Sequence, residues 1–277
     1  MNNEIIGFVD GYKGVKLFYK ACLAQQPKAK VIFLHGAGEY TEKYAYFAQW
    51  FVDKGIDVFM PDLRGHGRSG GAACHVDNFN DYAKDLDIFI KFTDKGWGNK
   101  KTFLTAHSLG ALISVFYTMR FTYDFKGLIL CSPCFKLRLK IAPVKAWFAA
   151  QLYDMLGNRS FSSHIKPQMA THDRQIIEKF AKDPLMHHFV TASFFVEMNK
   201  AMKIARRAAG DFKMPLAVLQ AGHDRICDSK AAERFYESAA SQDKEFKLYR
   251  GFYHELLNET KKEEVFIDIY DWIIKRC

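Results

Sequence analysis

Ser108 lies in Thr105-Ala106-His107-Ser108-Leu109-Gly110-Ala111, directly behind the run Lys101-Thr102-Phe103-Leu104-Thr105. A strand passing sharply into a helix at that point lifts a serine hydroxyl clear of the sheet, ready to attack a carbonyl carbon. The residues two before and two after such a serine must be small, because strand and helix backbones pass close together there. Gly110 meets that need, while Ala106 stands where the G-x-S-x-G pattern has glycine. Taken alone, Ser108 could equally cap the helix that opens at Leu109.

A nucleophilic serine needs a base, an acid to orient the base, and donors for the oxyanion. In one arrangement of this chemistry the partners follow in the order serine, acid, histidine, each on a loop at the carboxyl end of a strand. Pro215 to Gly222 reads as a buried strand, and Asp224 comes just after it. The next strand candidate, Glu245 to Tyr249, runs into Arg250-Gly251-Phe252-Tyr253-His254. Six histidines follow Ser108, and only His254 comes after both an acid and a strand; His164, His172, His187 and His188 have no strand before them, and His223 precedes the acid. Asp228 is the rival acid, but its place before Ser229-Lys230-Ala231-Ala232-Glu233 suits a helix cap. The catalytic set is therefore Ser108, Asp224 and His254.

Lys30 to Leu34 is another buried strand, ending in His35-Gly36-Ala37-Gly38-Glu39, whose small residues let backbone amides approach a ligand. The oxyanion hole is assigned to the amides of Ala37 and Leu109, the latter following the nucleophile. The charged stretch Asp62-Leu63-Arg64-Gly65-His66-Gly67-Arg68-Ser69 reads as a loop held by local hydrogen bonds and ion pairs beneath the site, without a catalytic part.

These residues are positioned by alternating strand and helix patterns: strands near 30–35, 56–60, 101–106, 126–131, 215–221 and 245–250, with helices near 42–54, 78–94, 109–121, 229–240 and 261–275. Such alternation predicts a mostly parallel sheet covered by helices on both faces. Gly7 to Gly11 followed by Val15 to Leu23 reads as an antiparallel hairpin at one edge. The expected division is a core over 1–134 and 211–277, interrupted by a helical insertion over 135–210.

With these motifs in order, the chain resembles the monoglyceride lipase and lysophospholipase group of the α/β-hydrolase superfamily. The resemblance is carried by His35 to Glu39, Asp62 to Ser69, His107 to Gly110, Gly222 to Ser229, and His254 to Glu259, from the first core strands almost to the end. Ala106 and Ala111 depart from the glycines usual in that group. The resemblance implies an α/β-hydrolase fold, the Ser108, Asp224 and His254 triad, the Ala37 and Leu109 oxyanion hole, and a cap, here 135–210, that sets substrate preference.

The net charge of +9 invites a nucleic-acid reading, but no recognition motif supports it. From Phe135 to Gly210 there are thirteen Lys and Arg against five Asp and Glu, so nearly the whole excess sits in the insertion. The positive residues there are interleaved with apolar ones, as in Val144 to Tyr153 and Phe194 to Lys203, which read as amphipathic helices. A basic amphipathic cap suits peripheral contact with an anionic membrane; the plainer alternative is a cap packed on its own core with solvated lysines. No stretch is long and apolar enough to cross a bilayer, and Met1 to Gly7 lacks a basic start with an apolar run behind it, so the expected location is the cytoplasm. The cysteines at 22, 74, 131, 134, 227 and 277 show no disulfide spacing, and Cys131-Ser132-Pro133-Cys134 has no second pair to complete a zinc site.

The reading is a serine carboxylester hydrolase that cleaves long-chain monoacylglycerols through an acyl-enzyme, with no metal or organic cofactor. The alternatives are a lysophospholipase or general long-chain esterase or thioesterase and, from another class, a non-catalytic lipid-binding protein with a hydrolase fold. The expected substrate contacts are Gly36, Glu39, His107, Cys227, Phe148 and Phe194. Cys227 reads first as a small buried apolar group and next as a wall near the alcohol part of the substrate. Phe148, Phe161, Phe180, Phe189, Phe194 and Phe195 could line an acyl tunnel, though each also suits ordinary core.

Overall fold

The segments Ala29–Leu34 (β3), Ile56–Pro61 (β4), Thr102–His107 (β5), Phe125–Cys131 (β6) and Leu216–Ala221 (β9) are mostly apolar and buried almost throughout, as strands covered on both faces must be. The computed structural model describes residues 4–98, 100–138 and 159–277. With Glu4–Asp10 (β1), Lys16–Cys22 (β2) and Lys244–Tyr249 (β10), these strands form one eight-stranded sheet in the order β1-β2-β4-β3-β5-β6-β9-β10. From β4 to β10 every neighbouring pair is parallel. The β1–β2 hairpin is antiparallel, and β2 joins β4 antiparallel, at the edge expected from the sequence.

Alternation along each strand divides its side chains between two cores. Val31 and Phe33 of β3 and Val58 and Met60 of β4 face Ala45–Asp53 (α1) and Lys262–Ile274 (α7). Ile32, Leu34, Leu104 and Leu130 face Asn80–Trp97 (α2), Leu109–Thr118 (α3) and Ser229–Ser238 (α6). Each buried Leu or Phe contributes about 1.5–3 kcal/mol relative to exposure, so this double core fixes the strand ends firmly. The first helix differs from its expected span: Thr41 to Tyr44 forms a tighter 3-10 turn before α1 begins. Helix α3 stops at Thr118, short of the expected 121.

The stretch between β6 and β9 contains a short antiparallel pair, Ser160–Ser162 (β7) with Phe189–Thr191 (β8), and the helices Arg174–Ala181 (α4) and Ala192–Arg207 (α5). Helix α5 is amphipathic as predicted, burying Phe194, Met198, Ala201, Met202 and Ala205 at helical spacing against the α3 side of the core. The Thr191 hydroxyl caps it by accepting from the Phe194 amide at 3.2 Å. The predicted helix over Val144 to Tyr153, and Phe148 within it, lie outside the described residues. Among the described residues no helix is long and apolar enough to cross a membrane.

Candidate active site

Ser108 occupies the turn between β5 and α3 with φ +51° and ψ −110°, a backbone conformation that L residues rarely adopt. Such a conformation costs about 1–3 kcal/mol and persists only where the surroundings enforce it. Here the Ser108 amide donates to the Cys131 carbonyl at 3.0 Å, and the Ser108 carbonyl accepts from the amides of Leu112 and Cys134, each at 3.2 Å. Close packing explains Gly110, since a Cβ there would stand 2.5 Å from the Leu34 carbonyl oxygen and 2.7 Å from that of His35. Ala106 and Ala111 are fully buried within the core, which accommodates both methyl groups.

Two loops from distant strand ends converge on this hydroxyl. His254 Nε2 lies 2.9 Å from Ser108 Oγ, and its Nδ1 lies 2.8 Å from Asp224 Oδ2. The second Asp224 oxygen accepts from the amides of Ile226 (2.9 Å) and Cys227 (2.8 Å), and Gln220 Nε2 donates to the first at 3.3 Å. Burial alone would lower the His254 pKa, but the facing Asp224 carboxylate outweighs it and raises that pKa above its ordinary value. Burial would likewise raise the Asp224 carboxyl; the charge and hydrogen bond of His254 and the two amides overcome it and hold the pKa low. Asp228 takes the other expected role, accepting from the Lys230 amide at 3.1 Å as the cap of α6. Of the six histidines that follow Ser108, His254 is the one that meets it. His172 instead pairs with Glu259 at 2.9 Å, and His187 and His188 border a cavity that opens beside Ala37.

The loop after β3 is held from several sides. His35 Nε2 accepts from the Leu63 amide at 2.9 Å, while its Nδ1 lies 2.8 Å from the Gly36 carbonyl. Burial drops its pKa to about 4, so the ring is neutral and serves as a spacer. The Gly36 amide donates to Glu39 Oε2 at 2.9 Å, and the Tyr44 hydroxyl donates to the same oxygen at 2.6 Å. Lys43 then donates to Glu39 Oε1 at 2.7 Å and to Glu255 Oε1 at 2.6 Å. Ala37 follows Gly36 on this loop, and Leu109 opens α3, where the first amides have no intrahelical partner. Among the described residues neither amide donates to a protein acceptor, which leaves both available to a ligand.

The other expected contacts are dispersed around this centre. His107 is buried with its ring 4.8 Å from that of His254, and burial lowers its pKa to about 3. Cys227 is buried against the triad; hydrogen bonding with Cys134 and then burial keep its thiol protonated. Asp224, Cys227 and His254 offer a carboxylate oxygen, a sulfur and an imidazole nitrogen within 4.8 Å of one another, the donor set of a soft divalent cation. The carboxylate and imidazole are already committed to each other. Phe194 is fully buried in the core, 6.3 Å from the His66 ring. Phe180 and Phe189, by contrast, line a cavity beside Ala37, Glu39, Lys43 and Glu255, together with Ile176 and Met186. Sequence reasoning missed Lys43, Tyr44, Gln220 and Glu255. The position of Glu255 beside the base and the i,i+4 spacing of Glu39 and Lys43 were the available signals.

The Asp62 to Ser69 loop is tied beneath the site as expected. Asp62 accepts from the amides of Thr41 (2.7 Å) and Arg68 (2.8 Å), and Arg64 forms a two-pronged pair with Asp85 at 2.5 and 2.7 Å.

Comparison with known proteins agrees with this architecture. Residues 25–261 match the family described as serine aminopeptidase, S33. The chain is 30% identical over 246 residues to the phospholipase YtpA of Bacillus subtilis, covering 88% of this chain and 94% of that protein. It is 31% identical over 253 residues to the monoglyceride lipase of Rattus norvegicus, covering 90% of this chain and 84% of the relative. In three dimensions it superposes on a soluble variant of monoglyceride lipase from Saccharomyces cerevisiae with a TM-score of 0.89 and 21% identity, covering 100% of this chain and 96% of that one. The fold is that of the α/β-hydrolases.

Proposed function

The chain belongs to the serine aminopeptidase S33 family and is a serine hydrolase of the lipase and esterase kind, and from that premise we propose that it hydrolyses long-chain monoacylglycerols to glycerol and fatty acid. Ser108 attacks the ester carbonyl as His254 Nε2 takes its proton, and Asp224 holds the ring and balances the imidazolium. The amides of Ala37 and Leu109 receive the oxyanion; one such donor is worth about 3 kcal/mol of transition-state stabilisation. His254 returns the proton to the departing glycerol, and water repeats the sequence on the acyl-enzyme.

The observation that carries this reading is the continuous chain from Asp224 Oδ2 through both nitrogens of His254 to Ser108 Oγ, at 2.8 and 2.9 Å. The relation to rat monoglyceride lipase supports the acylglycerol substrate. The apolar cavity beside Ala37 supports a role for the insertion over 135–210 as a cap that contacts the substrate. A lysophospholipase is the second reading, favoured by the equally extensive relation to a phospholipase and by the basic insertion, which also suits contact with an anionic lipid surface. Turnover of 1-monooleoylglycerol against lysophosphatidylcholine separates the two. Faster cleavage of the monoacylglycerol is expected, and a large preference for lysophosphatidylcholine would replace the first reading with the second.

A further inference from the structure

Lys43, Glu39 and Glu255 are all buried, at 7%, 6% and 6% exposure, and come from loops 212 residues apart. Lys43 Nζ stands between the carboxylates, 2.7 Å from Glu39 Oε1 and 2.6 Å from Glu255 Oε1. Each end of this bridge abuts a part of the proposed machinery. Glu39 Oε2 receives the Gly36 amide, which fixes the His35–Gly36 peptide one step before the peptide that carries the Ala37 amide, and Glu255 directly follows His254. We infer that Lys43 is a positioning residue that keeps the oxyanion loop and the histidine loop in register through the Glu39–Lys43–Glu255 bridge.

The physical basis is charge balance in a dry place. Without the cation, two buried carboxylates face each other, and they separate or share a proton. Separation moves Ala37 and His254 apart, and geometric error at a preorganised donor acts on the transition state more than on substrate binding. The Glu255 Oε2 atom has no hydrogen-bond partner among the described residues, so Lys43 supplies the main compensation for that carboxylate. A purely structural lysine would affect the folded fraction and leave the kinetics of the folded enzyme unchanged.

The inference rests on the ester-hydrolysis reading of the triad, and the test separates them. Steady-state turnover of a soluble monoacyl ester and the rate of fluorophosphonate labelling are measured against pH for wild type, Lys43→Met, Lys43→Arg and the double variant Lys43→Met with Glu255→Gln. Lys43→Met is expected to lose about a hundredfold in kcat with KM changed less than about threefold. Its loss should deepen as pH rises, because the facing carboxylates then give up their shared proton. Lys43→Arg should stay within about fivefold of wild type, and removing the second charge in the double variant should recover about tenfold over the single one. If Lys43→Met does not fold, the double variant measured against Lys43→Arg carries the test; a double variant as inactive as Ser108→Ala then counts against the bridge. A folded Lys43→Met with wild-type kcat and pH profile, or a double variant no better than the single, overturns it. A folded wild type that neither turns over ester nor labels removes the triad reading instead.

Discussion

The strand ends that carry Ser108, Asp224 and His254 and the insertion between β6 and β9 are built on different principles. At the strand ends backbone geometry and buried side-chain bonds together fix the groups: a positive φ at Ser108, amides on Asp224, the Asp224 carboxylate on His254, and a Gly110 that tolerates no side chain. The insertion is attached more unevenly. Helix α5 sinks an apolar stripe into the main core, whereas α4 buries Phe180 and β7 is exposed along its length. Among the described residues polar ties add to these: His172 bonds Glu259 through both its amide and its ring, Thr171 donates to the Asn258 carbonyl at 2.8 Å, and the His187 amide donates to the Gly38 carbonyl at 2.9 Å. On the proposed function, the contrast makes chemistry and selectivity separable. Altering the first region should abolish reaction on every ester, and altering the second should change which ester reacts.

Ser108→Ala sharpens that contrast most, with an expected loss on the order of a millionfold in turnover while lipid binding, followed by fluorescence, persists. Asp224→Asn should lower kcat about ten-thousandfold near neutral pH, because the imidazole loses the partner that sets its tautomer. The pH profile gives the sign. His254 must be neutral to accept a proton, so wild-type activity is lost as pH falls through a His254 pKa raised above its ordinary value of about 6.5. Residual activity in Asp224→Asn should persist to lower pH, since the charge that raised the pKa has gone. The smallest effect belongs to the insertion: Phe180→Ala, which removes one wall of the cavity, should raise KM for a long-chain ester about tenfold and leave a short-chain ester nearly unchanged. Equal losses on both chain lengths would break the comparison.

The difference also explains what could be read from the residues alone. Buried parallel strands are near-continuous apolar runs, so the strands leading to Ser108 and Asp224 were legible. The edge strand Lys244–Tyr249 before His254 was legible by its place in the strand–helix alternation and not by burial. Lys43 and Glu255 were not, because lysine and glutamate ordinarily face water and their pairing joins positions far apart in sequence. Phe194 illustrates the opposite problem. An aromatic on an amphipathic helix looks the same whether it faces a cavity or a packed core, and here it joins the core while Phe180 and Phe189 border the cavity. Cys131 and Cys134 form a CxxC in sequence, yet they fall on opposite faces of the sheet, one in each core.

The central claim is that Ser108 is activated by the Asp224–His254 pair. Intact-mass and peptide analysis after treatment with a fluorophosphonate tests it most directly. One adduct on Ser108, absent from Ser108→Ala and formed far more slowly in Asp224→Asn, is the predicted result. An adduct on another residue, or none on the folded protein, would contradict the account.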